Sequence, residues 1–255
     1  MRNLIAKAID VVLSKPRGDI YKEMRLTPEG AEARRSASPG PIEELFFANQ
    51  GRLVHKWIHY LPVYDRVLAP YHQKPITMLE IGVSKGGSLE LWRKFFGPDA
   101  TIYGIDIDPA CAKRVDPPNQ VRIGSQGDPA FLRKVLAETG PPDIILDDGS
   151  HISSHQRISF EVLFPALKPG GLYMIEDLHT AYWPRWEGGY RRAGTGIELV
   201  KALIDDMHGW HHGRGARFAG REWVQSVEIH DSIAVITKGA PLPAPGHFST
   251  GHTPE

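Results

Sequence analysis

Between residues 76 and 177, short apolar runs alternate with amphipathic stretches, and every run stops on a glycine or a carboxylate. The runs are "ITMLEIG" (76–82), "TIYGID" (101–106), "QVRIG" (120–124), "DIILD" (143–147) and "LYMIED" (172–177). Between them, "SLELWRKFF", "PACAKRV", "DPAFLRKVLAE" and "SSHQRISFEVLFPAL" repeat apolar residues at helical spacing. A strand that is apolar on both faces needs helices on both faces. The alternation therefore predicts an α/β, doubly wound, mostly parallel sheet. "EWVQSVEIH" and "SIAVITK" then follow each other across a very short link at Asp231, which allows only an antiparallel terminal hairpin.

The flanks carry less pattern. Leu4, Ile5, Ala8, Ile9, Val12 and Leu13 recur at helical spacing, so a short N-terminal amphipathic helix is expected, packed on its own domain or on a subunit partner. Residues 16–41 read as a linker or irregular arm, and 45–70 as helical with Pro62 at a start or break. The expected division is an N-terminal helical extension and linker at 1–52, a catalytic domain at 53–239 and a flexible tail at 240–255. Thirty basic and thirty acidic side chains give zero formal net charge, which argues against nucleic acid as a partner. One cysteine, Cys111, suits a reducing, cytoplasmic setting, and no run is long enough for a membrane span. A homo-oligomer is expected.

Ligands of open α/β sheets bind at the carboxyl ends of the strands, and these ends carry the chemistry. The first loop, "LEIGVSKGGSL", has Gly82, Gly86, Gly87 and Ser88 but lacks the G-x-G-x-x-G spacing of dinucleotide sites. Asp106 ends the second strand, where a carboxylate can accept both hydroxyls of a ribose, from NAD or from S-adenosylmethionine. Ser125, Gln126 and Asp128 follow the third strand, where an adenine edge would lie. Asp128 also suits a plain helix cap.

"DIILDDGSH" and "LYMIEDLHTAYW" share one design: an apolar strand, two acids, and a histidine close behind. Converging carboxylates repel, and a divalent cation removes that cost. Asp148, Glu176 and Asp177 are thus candidate ligands for Mg²⁺, with Mn²⁺ or Ca²⁺ as alternatives. His151 sits at the mouth of the same cleft and suits a general base. His155, four residues on, leaves open a zinc-type site with His151 and Asp148. Asp147 supports the turn or the cofactor. His179 lines the substrate side or backs a residue that does. The loop 180–196, with Tyr182 and Trp183, offers aromatic faces for sugar rings and glycines for a moving lid.

Taken in order, "MLEIGVSKGGSLELW", "YGIDIDP", "DDGSH" and "EDLHTAYWP" resemble the class I, metal-dependent sugar O-methyltransferases, which act on macrolide deoxysugars and on mycobacterial mannosides. The resemblance spans about residues 53–238. It implies a Rossmann-like fold, S-adenosylmethionine and Mg²⁺ as cofactors, and a glycosylated small molecule or oligosaccharide as acceptor. It puts the metal on Asp148, Glu176 and Asp177, the base on His151 and the ribose on Asp106. The loop from Glu80 through Gly82 to Ser88 would hold the methionine part. His59 and Tyr60, in "HKWIHYLPVY", would be further cofactor contacts. Cephalosporin hydroxylase-like proteins share similar motifs, and a cofactor-holding protein without turnover is the remaining alternative.

Overall fold

The computed structural model describes residues 24–213, 223–240 and 245–251. Seven strands form one sheet: β1 (Thr77–Ile81), β2 (Thr101–Asp106), β3 (Gln120–Ile123), β4 (Ile144–Asp147), β5 (Leu172–Ile175), β6 (Val224–His230) and β7 (Ile233–Lys238). Their order is β3-β2-β1-β4-β5-β7-β6. The first five pair in parallel, while β7 runs antiparallel to both β5 and β6. The order reverses between β1 and β4, so the loops after these two strands part and leave a crevice.

The described helices are α1 (Pro28–Glu32), α2 (Pro41–Phe47), α3 (Leu61–Leu68), α4 (Gly87–Phe96), α5 (Pro129–Thr139), α6 (Ser153–Leu163), α7 (Gly196–Met207) and α8 (Gly209–His212). Strand residues alternate between two cores. Met78, Ile144 and Met174 join Ile42, Tyr64, Trp92, Phe95 and Phe96 on one face. Leu79, Ile145 and Tyr173 join Leu132, Phe160, Leu163, Leu199 and Leu203 on the other. This two-sided burial is why the strands read as unbroken apolar runs.

Several expectations are adjusted. The N-terminal helix over residues 4–13 lies outside the described residues. Within 24–52, Ile42 is fully buried in the first core, and Asp65 accepts the Ile42 and Glu43 amides at 2.7 and 3.1 Å, capping α2. The helical reading of 45–70 breaks: residues 48–57 are irregular, and Pro62 stands in the first turn of α3. "PACAKRV" forms only a 3₁₀ segment, Pro109–Lys113, capped by Asp108. Helix α7 was not anticipated. Its signal is Thr195, whose hydroxyl caps Glu198, followed by buried Leu199, Val200 and Leu203. Of the tail, 245–251 is irregular, and 241–244 and 252–255 lie outside the described residues.

Candidate active site

Gly82 follows β1 with φ +99°, a conformation that L side chains rarely adopt. A Cβ there would sit 2.0 Å from the Asp148 carbonyl oxygen, so only glycine lets the first loop lie against the turn after β4. Gly87 does the same for another segment. A Cβ on it would meet the Leu53 carbonyl oxygen at 2.3 Å. Residues 53–57 are thereby laid across the carboxyl ends of the strands. The result is a cavity of about 390 Å³, bounded by 53–57, the loop after β1, the ends of β2 and β3, and both acidic turns.

Gly82, Ser88, Asp106, Ser125, Gln126, Asp148, His151, Glu176 and Asp177 all line this cavity. Asp106 Oδ2 accepts the Val83 and Ser84 amides at 2.9 and 3.0 Å, and Oδ1 the Asp108 amide at 2.9 Å. Burial alone would raise its pKa, but these backbone donors outweigh burial and hold it below the usual value. Gln126 is nine-tenths buried or more, and both ends of its amide are engaged. Nε2 donates to Asp147 Oδ1 at 3.0 Å and Oε1 accepts Ser150 N–H at 2.6 Å. Its side chain thus ties the third loop to the turn carrying His151.

Other expected site residues stand behind the cavity wall. Asp128 is exposed and accepts the Ala130 amide at 2.8 Å; it caps α5 and does not border the cavity. Asp147 is buried under the turn, accepting Ser159 Oγ at 2.7 Å as well as Gln126, and burial raises its pKa. Glu80 is fully buried beneath Ser88, whose hydroxyl donates to it at 2.9 Å. Burial pushes the Glu80 pKa up to about 7, against the pull of Lys56. His59 is exposed, with Nε2 3.0 Å from the Asp231 carbonyl. Tyr60 is buried, its hydroxyl 3.0 Å from Asp177 Oδ1, so it supports an acid instead of meeting the cavity. Tyr182 is exposed, Trp183 and His179 are half-buried, and none of the three borders the cavity.

At the acidic end, Asp148, His151 and Asp177 each offer a ligand atom, all within 4.8 Å of one another. His151 (φ +56°) and Asp177 (φ +55°) both adopt left-handed backbone, which turns each chain sharply after its strand. His151 Nε2 stands 3.6 Å from Asp177 Oδ2, and its buried Nδ1 has no hydrogen-bond partner among the described residues. Thr180 Oγ1 lies 2.7 Å from the Asp177 carbonyl and 3.3 Å from the His151 carbonyl, joining the two turns. His155 turns away to Ser150 Oγ at 2.9 Å, so the zinc-type pairing with His151 does not form among the described residues.

Three groups that the sequence did not reveal hold these acids together with Tyr60. Lys56 Nζ lies 2.6 Å from Asp148 Oδ2 and 2.7 and 2.9 Å from the two oxygens of Glu176. Tyr64 donates to Glu176 as well, and Trp57 Nε1 donates to Asp177 Oδ1 at 3.1 Å. With Tyr60, all come from the single stretch 56–64. Burial would lower the Lys56 pKa, but Asp148, Glu176 and Glu80 outweigh it and keep the ammonium charged. Trp57 also meets the His179 ring edge-on at 5.4 Å, and His179 meets Trp183 at 4.9 Å, an aromatic strip beside Asp177. Burial lowers the His179 pKa, with Asp177 opposing. A cation fits here. The donors are carboxylates and an imidazole facing open space, and a positive group already rests on two of the acids.

A seven-stranded sheet of this order, with a glycine loop, a ribose-competent acid and an acidic floor at its switch point, defines a class I methyltransferase fold. No protein-family model matches the chain. The 8-demethyl-8-alpha-L-rhamnosyl tetracenomycin-C 2'-O-methyltransferase of Streptomyces olivaceus is 39% identical over 201 residues, covering 72% of this chain and 52% of that protein. Demethylmacrocin O-methyltransferase of Streptomyces fradiae is 40% identical over 205 residues, covering 73% and 51%. The MycE methyltransferase of the mycinamycin pathway, solved with Mg, SAH and mycinamycin VI, matches with a TM-score of 0.68 at 34% identity, over 80% of this chain and 54% of its own. Over the matched region the chain belongs to the sugar O-methyltransferases, and it spans about half the length of the curated relatives it matches.

Proposed function

We propose that this protein is an S-adenosylmethionine- and Mg²⁺-dependent O-methyltransferase acting on a sugar hydroxyl of a glycosylated small molecule. The observation that carries the reading is the placement of Asp148, His151 and Asp177 on the same cavity as the glycine loop and Asp106. The relatives support the acceptor class, since one is named for 2'-O-methylation of a rhamnosyl tetracenomycin. Zero formal net charge supports a small-molecule partner over nucleic acid, and the lone cysteine supports a reducing, cytoplasmic setting. Among the described residues no helix is long and apolar enough to cross a membrane. A homo-oligomer remains part of the proposal.

Asp148 and Asp177 would hold the metal, backed by Glu176. A divalent cation at that position supplies Lewis acidity, which lowers the pKa of a sugar hydroxyl that is otherwise a very weak acid. The cofactor supplies an already activated methyl group. The chain's own work is alignment and proton removal. His151 takes the hydroxyl proton, with Nε2 facing Asp177 so that the imidazolium formed is stabilised by a neighbouring carboxylate. Asp106, fixed by three amides, holds the ribose end, and Gln126 keeps the His151 turn in register with it. The strip of Trp57, His179 and Trp183 presents ring faces and edges to the acceptor.

The test is release of S-adenosylhomocysteine across a panel of glycosylated acceptors, with and without EDTA. Turnover with a rhamnosylated or deoxysugar-bearing acceptor, abolished by EDTA and restored by Mg²⁺, is expected. Turnover undiminished by EDTA would overturn the metal-assisted reading, and the absence of turnover with every acceptor would overturn the acceptor class.

A further inference from the structure

Lys56 is an odd resident for a site built to receive a cation. Its side chain is only 4% exposed, and it reaches carboxylates 92 and 120 residues away in the chain. A buried ammonium is costly unless its charge and its donors are matched. Here both are matched: contacts at 2.6, 2.7 and 2.9 Å take one oxygen of Asp148 and both oxygens of Glu176. The lysine touches neither oxygen of Asp177, which belongs instead to Trp57, Tyr60 and the His151 side. The acids are therefore divided. Glu176 gives both oxygens to Lys56 and also accepts Tyr64, Asp148 gives Lys56 one oxygen, and Asp177 is held by Trp57 and Tyr60. Among the described residues, Asp148, His151 and Asp177 bring ligand atoms within 4.8 Å of one another beside this ion pair.

We propose that Lys56 is the resident counter-ion of the acidic site: it cancels one of the three carboxylate charges, leaving a formal charge of −2 for a divalent cation to match, and keeps the site assembled before the metal arrives. This rests on the metal-dependent reading above. Without Lys56, Asp148, Glu176 and Asp177 face one another unscreened, so the metal-free protein loses stability. The same deletion removes a positive charge within hydrogen-bond range of the ligands, so the site binds a divalent cation more tightly. A lysine that merely filled space would give the opposite, a loosened site with weaker metal binding.

The experiment uses the full chain and Mn²⁺ as the probe, with thermal melting in EDTA and Mn²⁺ titration followed by electron paramagnetic resonance. Lys56→Met is expected to melt several degrees lower than wild type in EDTA and to bind Mn²⁺ about tenfold more tightly. Adding Glu176→Gln to Lys56→Met restores a formal −2 and is expected to return both readings toward wild type. Should Lys56→Met be soluble only with Mn²⁺, that is the same effect at its limit. Should it fail to fold under any condition, recovery by the double variant still supports the counter-ion role, and no recovery overturns it. An unchanged melt and an unchanged or weaker Mn²⁺ affinity would also overturn it. If wild type binds no Mn²⁺, the metal in the proposed function fails, while the EDTA melts of the single and double variants still decide whether Lys56 balances the acids.

Discussion

β4 ends on Asp147 and runs into Asp148, and β5 runs into Glu176-Asp177, each pair with a histidine close behind. In both pairs the first acid is 1% exposed, and the second borders the cavity with its carboxylate half-buried. The register separates the two buried acids: Asp147 pairs with Ile175, so Glu176 stands one step further along and leaves the opposite face of the sheet. The partners differ. Asp147 receives neutral donors, Gln126 and Ser159, from the third loop and α6. Glu176 receives an ammonium and a phenol, Lys56 and Tyr64, from the segment before β1. One buried acid therefore organises a turn, and the other anchors a charge. The histidines differ too: His151 faces Asp177 at 3.6 Å, while His179 lies within an aromatic strip.

This contrast is sharpest at the histidines. His151→Ala is expected to cut turnover by ~10²–10⁴ with cofactor binding intact, measured by initial rates and by calorimetric titration of S-adenosylhomocysteine. His179→Ala, at the corresponding place on the other turn, is expected to raise acceptor KM with a much smaller change in kcat. Equal losses of kcat would erase the distinction between the turns.

The buried acids break the comparison on stability. Asp147→Ala strands the Gln126 and Ser159 donors and is expected to cost about 1–3 kcal/mol for each, read from urea denaturation. An unchanged midpoint would remove Asp147 from the framework of the His151 turn. Glu80, buried beneath Ser88, supplies a pH signature. Its folded pKa is raised from 4.5 to about 7, so the folded state holds a proton that the unfolded state has released. Its favourable contribution is complete below pH 4.5 and is lost as pH rises through about 7. Glu80→Gln is therefore expected to match wild type near pH 4.5 and to gain relative stability on the order of 2–3 kcal/mol by pH 8, checked by melts across that range. A constant difference across pH would refute it. The smallest effect belongs to Asp128, which only caps α5: Asp128→Ala is expected to cost about 1 kcal/mol and leave cofactor affinity unchanged.

Much of this arrangement is legible in the residues. The apolar runs ending in acids locate the carboxyl edge of the sheet, and the two acid pairs with His151 locate its reactive end. Gly82 is readable because a tight turn at positive φ demands glycine, and Asp106 because a lone carboxylate ends the apolar second strand. Lys56, Trp57, Tyr60 and Tyr64 were not readable in that role. Their spacing suits an ordinary helix start, and the groups they hold lie 92 to 120 residues away. Asp128 reads as a cofactor contact because it follows the third strand, and Tyr60 because its segment resembles one near the cofactor in the family. The direction of each side chain, toward a helix amide in one case and toward Asp177 in the other, is a property of the packed chain.

The sequence by itself determined the alternation of strand and helix, the antiparallel close of the sheet and the acids at its edge. Each of these follows from local periodicity or from where an apolar run must end. Only the tertiary structure decided which acid of each pair is buried with which partner, and that a lysine from the irregular stretch before α3 sits among them. Those outcomes depend on contacts between segments far apart in the chain, where burial sets the cost of a charge and only a distant partner can offset it.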